Sequence, residues 1–489
     1  MRMMPPTTRT VPRTHPATLT EGALARRSVF SLRLSERKVL LYVADILAIT
    51  IALSLVLASR FGLPFGWRTI VAQPMWFGLL IVVWSVFAPL LNGYDLQKAA
   101  RVGSGAAAGM GVALAVAGIY LLIPYLTPPL HTSRLTAATF LLSMMGLVAL
   151  VRTSYAGLLM QPTFRHRVVI AGAGWAGRTL VEAVQTHAST EYDLMGFVDD
   201  AAAQQGTVVS GLPVLGRSGD LARVVLDQGV SEVILAVTRE ETMDVDMVAA
   251  LLDCHQKGIQ VTYMQAVYER LTGRVPVAHV GRRLHVVLPM ERDRNRLYLV
   301  LKRLMDITIG LAGTLVTLAL LPFIALMIRL EGPGRIVYRQ ARTGRGGRLF
   351  TLLKFRTMVP DAEADGPQWA VEDDTRRTWT GRILRRLHLD ELPQAINLLR
   401  GEMSFIGPRP ERPEFVAGLE EQIPFYRARH AMRPGVTGWA QVNYRYGSSA
   451  EDALIKLQYD LYYIKHCSLF LDAVILVRTL GLVLTLRGR

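Results

Sequence analysis

Two adjacent carboxylates, Asp390 and Glu391, stand in the run Leu389-Asp390-Glu391-Leu392-Pro393-Gln394, and Gly407-Pro408-Arg409-Pro410 follows a short distance on. Pro393 fits only the first turn of a helix, and Leu392, Ile396 and Leu399 recur at helical spacing, so the acidic pair is expected to open a helix at its positive end. The run Arg376, Arg377, Arg382, Arg385, Arg386 lies just before it. Carboxylates among that many cations imply phosphate chemistry, in which either acid could attack, take a proton or hold a metal. The alternative is structural, with Asp390 an N-cap and Glu391 a first-turn acid. Arg409, held between two prolines of restricted φ, is a preorganised cation suited to phosphate. Lys354 and Arg356 in Lys354-Phe355-Arg356-Thr357-Met358, Arg342 in the glycine-punctuated segment Arg339 to Phe350, and Arg386 are further candidate phosphate contacts. The same cations would also suit an anionic membrane surface.

The elements that must position these residues are partly membranous. A chain of 489 residues that is 51% hydrophobic, with a mean hydropathy of +0.28, is too long for one domain and too apolar for an ordinary soluble enzyme. Lys+Arg 55 against Asp+Glu 39 gives a formal charge of +16, which favours anionic partners. In a membrane protein those are lipid head groups and nucleotide phosphates, and nucleic acid is not an expected partner. With only Cys254 and Cys467, a disulfide framework and a cysteine-rich zinc site are excluded.

Residues 1–38 are rich in Pro, Thr and Arg and read as a disordered basic cytoplasmic tail. Four apolar runs follow within 39–152, near Val39 to Ser59, Pro74 to Leu91, Ala106 to Leu126 and Leu135 to Val151. Arg26, Arg27, Arg33, Arg37 and Lys38 precede the first run, and Arg152, Arg165 and Arg167 follow the fourth, which puts both ends in the cytoplasm. Asp45, inside the first run but near its cytoplasmic end, is expected to snorkel.

Residues 165–285 carry an α/β pattern: the strand Arg167 to Ile170, the loop Gly172-Ala173-Gly174-Trp175-Ala176-Gly177, a helix, and Met195-Gly196-Phe197-Val198-Asp199. Strand, GxGxxG, helix and a later acid fit a Rossmann-like domain, with Gly172, Gly174 and Gly177 letting phosphate approach a helix N-terminus and Asp199 placed for a ribose. The same glycines also permit close packing of strand on helix with no nucleotide present. The chain turns apolar again from Leu297 to Leu330, with Lys302, Arg303 and Asp306 near the start and Pro322 well inside. Pro322 removes a helix hydrogen bond and bends the axis, which suits a re-entrant helix entering and leaving by the cytoplasmic face; a proline-broken fifth span is the alternative. The final run, Leu469 to Leu486, is interrupted by Asp472 and Arg478 and reads as an interfacial amphipathic helix.

From about Leu297 to the end, the sequence resembles the bacterial sugar transferases, the polyprenyl-phosphate hexose-1-phosphate transferases. The motifs that carry the resemblance, besides those above, are Gly401-Glu402-Met403-Ser404 and Arg433-Pro434-Gly435-Val436-Thr437-Gly438-Trp439-Ala440-Gln441. The spans and α/β domain ahead of it resemble the large polytopic members that initiate exopolysaccharide or capsule synthesis in the bacterial inner membrane. One departure is Leu387-His388, where many relatives carry a small hydroxyl pair. The resemblance implies a C-terminal α/β catalytic domain, 290–489, with its re-entrant helix at about 297–330. It implies transfer of a sugar 1-phosphate from a UDP-sugar, glucose first among the candidates, to undecaprenyl phosphate, with release of UMP. It further implies Asp390 as the nucleophile on the β-phosphorus, forming a phosphosugar-aspartyl intermediate, and Mg²⁺ held at Glu391 together with Asp390. Homo-oligomerisation stays open.

Two other readings compete. A polytopic nucleotide-sugar dehydratase would share the spans and the first α/β domain, but it needs a second glycine fingerprint and a Tyr-x-x-x-Lys, for which Tyr298 to Lys302 is the spacing match. A membrane-bound nucleotide sensor would use the C-terminal part for binding alone.

Overall fold

The computed structural model describes residues 34–484 apart from 124, 131–132, 160–164, 238–242, 278–295, 360–361, 363–365, 367–374, 445–446 and 448. Most of the basic tail expected over 1–38 lies outside the described residues, while its last five, Leu34 to Lys38, already belong to the first helix.

The four apolar runs form α1 (Leu34–Phe61), α2 (Pro74–Leu90), α3 (Val102–Leu121) and α4 (Arg134–Leu159). Helices α1, α3 and α4 are long and apolar enough to cross a membrane, and α2 is a shorter apolar helix of 17 residues. The helices pack around Trp84, Leu53, Tyr120 and Phe140. Asp45 corrects the snorkelling expectation. It is 0% exposed and accepts from Arg152 Nη2 of α4 at 2.7 Å, with the Arg152 guanidinium over the Tyr94 ring. A charge this deep is tolerated only when paired, so the short acid takes its cation from inside the bundle instead of reaching for water. Removing Arg152 with Arg152→Ala leaves Asp45 buried and uncompensated and is expected to destabilise the bundle by about 3–5 kcal/mol. Thermal unfolding in detergent reads this as a lowered midpoint, and an unchanged midpoint would contradict the pairing.

The α/β domain opens with β1 (His166–Ala171) and α5 (Trp175–His187), and continues with β2 (Tyr192–Val198), β3 (Val208–Val209), β4 (Leu212–Gly216), α6 (Leu221–Asp227), β5 (Glu232–Leu235), α7 (Val245–Gln256), β6 (Gln260–Tyr263) and α8 (Met264–Thr272). The sheet order is β3-β4-β2-β1-β5-β6, parallel throughout except for the β3–β4 pair. Val168 to Ala171 of β1 and Val233 to Leu235 of β5 are apolar and buried on both faces, as a parallel sheet covered by helices requires. The domain meets the bundle at Glu191, which lies beside Arg37, Lys38 and Arg270; burial raises its carboxyl pKa and those cations work against the rise.

Everything C-terminal is arranged along α9 (Arg296–Leu330), a helix of 35 residues and about 52 Å at 1.5 Å per residue. One stripe, Tyr298, Lys302, Asp306, Gly310, Thr317, Ile324 and Ile328, is buried along the whole length. The opposite face exposes Leu304, Leu311, Leu315, Phe323 and Leu326. The remaining elements are the antiparallel pair β7 (Val337–Thr343) and β8 (Leu349–Phe355), α10 (Trp379–Arg386), α11 (Gln394–Arg400), the parallel pair β9 (Ser404–Ile406) and β10 (Gly435–Thr437) with α12 (Pro413–Gln422) between them, α13 (Trp439–Asn443), α14 (Ala450–His466) and α15 (Leu469–Leu484).

Several of these are tied to α9 by polar contacts. Lys302 Nζ donates to Asp472 Oδ2 of α15 at 3.0 Å and to Tyr463 of α14 at 2.8 Å. Arg303 donates to the Leu398 and Leu399 carbonyls that end α11, and Asp306 Oδ1 accepts from Ser404 Oγ and Phe405 N of β9. Thr317 Oγ1 reaches the Leu392 carbonyl at 3.2 Å. Gly310 and Gly313 are the close-approach points, because a Cβ at Gly310 would meet Leu399 Cδ2 at 2.9 Å and one at Gly313 would meet Ala395 Cβ at 3.1 Å.

The three parts meet at a common face. Glu269 of α8 takes Lys465 and His466 of α14, each at 2.9 Å. Trp439 Nε1 donates to the Gly273 carbonyl, Val275 N to the Gln458 carbonyl, and Arg478 Nη2 of α15 to Asn92 Oδ1 in the turn after α2. Val275 and Val277, which sequence places in the second domain, pack into the core of the third with Ile406, Leu457 and Leu461. The expected boundary between 285 and 290 lies outside the described residues.

Candidate active site

Asp390 and Glu391 do not open the helix themselves. They occupy a single 3₁₀ turn, Leu389–Glu391, entered through His388 in the left-handed region at φ 57°, and α11 begins only after Pro393, its N-cap. The N-cap role considered for Asp390 is therefore not realised, since Pro393 fills that position and no side-chain cap bond forms there. Asp390 is instead 2% exposed, and its Oδ1 is buried with no hydrogen-bond partner among the described residues. An orphaned buried carboxylate oxygen is costly, and a ligand or cation beside it would offset that cost.

Glu391 is engaged through one oxygen. Its Oε1 accepts from Lys354 Nζ of β8 at 2.9 Å and from Arg409 Nη2 at 3.0 Å. Lys354, Glu391 and Arg409 are thus brought together beside Asp390, three chain segments meeting at one carboxylate. The register that brings Lys354 here is set by Asn397 of α11, which is completely buried. Its Oδ1 accepts from Leu353 N and its Nδ2 donates to the Thr351 carbonyl, so the side chain satisfies the free edge of β8 as a neighbouring strand would.

The other predicted cations serve the frame. Arg356 donates to the carbonyls of Ile328, Gly332 and Pro333, closing the C-terminal end of α9. Arg342 donates to the Pro410 carbonyl at 3.2 Å and faces Glu411. Arg386 is exposed at the end of α10, four residues before Asp390. At the Pro408–Pro410 loop, a shallow pocket is lined by Thr343, Gly344, Arg409 and His430, and burial beside Arg429 and Arg427 pushes the His430 imidazole down to about 4, leaving it neutral.

The glycine loop of the α/β domain lies apart from this cluster. Gly177 is a packing glycine, since a Cβ there would collide with the Gly172 carbonyl and meet the Phe197 ring at 2.9 Å. Gly172 takes φ 111° and Gly174 caps α5. Asp199, expected to face a ribose, turns its carboxylate onto the loop itself: Oδ2 accepts from Ala173 N at 2.7 Å and Oδ1 from Ala201 N at 2.8 Å. The Tyr298 to Lys302 spacing is likewise used internally, because the Tyr298 hydroxyl and the Lys302 ammonium both bond the buried Asp472.

A protein-family model described as bacterial sugar transferase matches residues 297–486, and one described as CoA-binding domain matches residues 89–256. A UDP-N-acetylgalactosamine-undecaprenyl-phosphate N-acetylgalactosaminephosphotransferase of Aeromonas hydrophila is 39% identical over 255 residues, 52% of this chain and 59% of that protein. A UDP-glucose:undecaprenyl-phosphate glucose-1-phosphate transferase of Xanthomonas campestris pv. campestris is 34% identical over 331 residues, 66% of this chain and 64% of that protein. The chain thus spans less than two thirds of either relative. The exopolysaccharide production protein PSS of Rhizobium leguminosarum bv. phaseoli is 41% identical over 197 residues, 39% of this chain and 98% of that protein. With that relative covered almost end to end and the family model matching the part that holds Asp390, Glu391 and Arg409, the chain belongs to the bacterial sugar transferases.

Proposed function

We propose that this protein transfers a hexose 1-phosphate from a UDP-sugar to undecaprenyl phosphate, giving the diphosphate-linked lipid sugar and UMP, the step that starts an exopolysaccharide or capsule repeat unit. The observation that carries the proposal is the buried, unpartnered Asp390 Oδ1 beside a glutamate already held by a lysine and an arginine. Asp390 Oδ1 attacks the β-phosphorus, the bond from that phosphorus to the bridging oxygen breaks, and UMP leaves with the electron pair. An oxygen of undecaprenyl phosphate then attacks the same phosphorus and frees the Asp390 carboxylate. Lys354 and Arg409 lie where they can offset charge on the diphosphate, and Glu391 holds both cations in place.

Mg²⁺ fits this donor set. Asp390 offers a buried Oδ1 with no partner among the described residues, and two hard carboxylates with substrate phosphates and water completing the shell is how Mg²⁺ is ordinarily bound. Asp390 and Glu391 would hold it, and it would supply charge neutralisation at the diphosphate.

The site works at the cytoplasmic face of the inner membrane, with α9 entering and leaving by that face. Support comes from the bonds that join the chain before α9, at Gly273 and Val275, to Trp439 and Gln458 after it. A helix crossing the bilayer would part those pairs by a membrane thickness. The buried stripe running from Tyr298 to Ile328, with apolar side chains exposed opposite, also fits a helix lying against its own domain on one side and lipid on the other. Purified protein with Mg²⁺, undecaprenyl phosphate and a panel of UDP-sugars tests the reading. Glucose and N-acetylgalactosamine, the sugars in the relatives' names, head the panel, and release of UMP that needs the lipid for multiple turnovers is expected. No UMP from any sugar would overturn it.

A further inference from the structure

The loop that presents Arg409 has an unusual problem of support. Pro408 and Pro410 have no N–H, so the segment can be anchored at those residues only through its carbonyls. Three consecutive carbonyls each find a donor on a different element. Pro408 O accepts from Gly435 N of β10 at 2.8 Å, Arg409 O from Arg429 Nη2 at 3.0 Å, and Pro410 O from Arg342 Nη1 at 3.2 Å. Gly407 N, the last free donor before the prolines, bonds the Thr437 carbonyl at 2.9 Å.

Of these supports, the middle one is a side chain with its own buried frame. Arg429 lies in the 3₁₀ segment Tyr426–Ala431 and is 5% exposed. The same Nη2 meets Asp460 Oδ2 of α14 at 2.9 Å, Nη1 donates to the Tyr426 hydroxyl, and the guanidinium lies over the Tyr426 ring. A buried ion pair is weak evidence for stability, since apolar residues of similar volume often do as well. Such a pair is better justified by what it holds, and the group held here is the backbone of the residue whose guanidinium meets Glu391.

We infer that Arg429, fixed by Asp460 and Tyr426, is a positioning residue that holds the Arg409 carbonyl and thereby sets the Arg409 guanidinium against Glu391. The inference rests on the reading of Arg409 as a charge-stabilising group in the transfer reaction, and it predicts a geometric effect that exists with or without turnover. Lysine at 429 keeps the charge but presents a point donor in place of a planar fork, so it cannot serve Arg409 O, Asp460 and Tyr426 together.

Two measurements on the full chain test this. In Arg429→Lys, hydrogen exchange of the peptide carrying Gly407 is expected to speed up about tenfold, the change that 1.4 kcal/mol of lost local stability produces. Turnover by Arg429→Lys is expected to fall about tenfold, while in an Arg409→Ala background the same substitution changes turnover less than about twofold, as coupled residues require. Tyr426→Phe, which removes one hydroxyl from the frame, is expected to move both readouts the same way by a smaller amount, and it serves if Arg429→Lys does not fold. Unchanged exchange at Gly407 in a folded variant overturns the inference whether or not the wild type releases UMP. Effects of Arg429→Lys and Arg409→Ala that multiply independently overturn it as well. Absence of UMP release by the wild type with faster exchange in the variant would instead count against the proposed reaction alone.

Discussion

Asp390→Asn is expected to abolish UMP release, lowering turnover by roughly 10⁴–10⁶-fold, the scale on which removal of a catalytic nucleophile acts. The substitution changes one oxygen to a nitrogen at a side chain that neither caps a helix nor pairs with a cation by a described bond, so the fold and its unfolding midpoint should stay as they are. The amide has no free carboxylate oxygen to attack phosphorus, and it offers a metal a poorer ligand. Turnover and thermal midpoint measured on the same preparation separate loss of chemistry from loss of structure. Full activity in the variant would remove Asp390 from the mechanism.

Arg409→Ala is expected to cost about 10²–10³-fold in kcat, the range found when one preorganised donor is removed from a site where charge develops. The loss has two parts. The phosphate loses a cation, and Glu391 Oε1 keeps Lys354 as the remaining partner of the two that meet it at 2.9 and 3.0 Å. Arg409→Lys should recover part of the activity, because it restores charge without the planar fork. Steady-state kinetics on the three proteins check this, and equal kcat in Arg409→Ala and wild type would show that the loop serves only as scaffold.

The sequence makes the residues of the site legible but not the way they are held. Asp390, Glu391, Lys354 and Arg409 are prominent because the two acids are adjacent and follow a dense run of arginines, and because Arg409 sits between two prolines. Three of the four then meet at one carboxylate. The supports are less visible. Asn397 looks like an ordinary helix polar residue until β8 is seen to need an edge partner, and Arg429 and Asp460 lie 31 residues apart with nothing in their local pattern to join them. The one available signal was a charged residue inside an otherwise apolar helical pattern, as at Asp460 between Leu457 and Leu461.

Where sequence reasoning placed residues differently, the cause is tertiary. Pro393 marks the start of α11, yet the positive φ at His388 lets the acidic pair form its own turn ahead of it, so the pair faces the site in place of capping. The depth of Asp45 in its run says nothing of a partner, and the answering charge comes from Arg152, 107 residues later. Asp199 has the spacing of a ribose ligand, and the carboxylate serves the glycine loop's own amide. In each case hydropathy and spacing define an element, and a distant side chain decides what its polar residue does. The membrane helices and the parallel α/β sheet were legible because both rest on long apolar runs with short, strongly typed connections.

The most direct test of the account is covalent. Protein incubated with Mg²⁺ and a UDP-hexose carrying ³²P at the β-phosphorus, with no lipid acceptor, should acquire label that peptide mapping places on the segment containing Asp390, with one UMP released per label. Adding undecaprenyl phosphate should discharge the label into lipid. UMP formed only when both substrates are present, with no label on the protein at any time, would contradict the role assigned to Asp390.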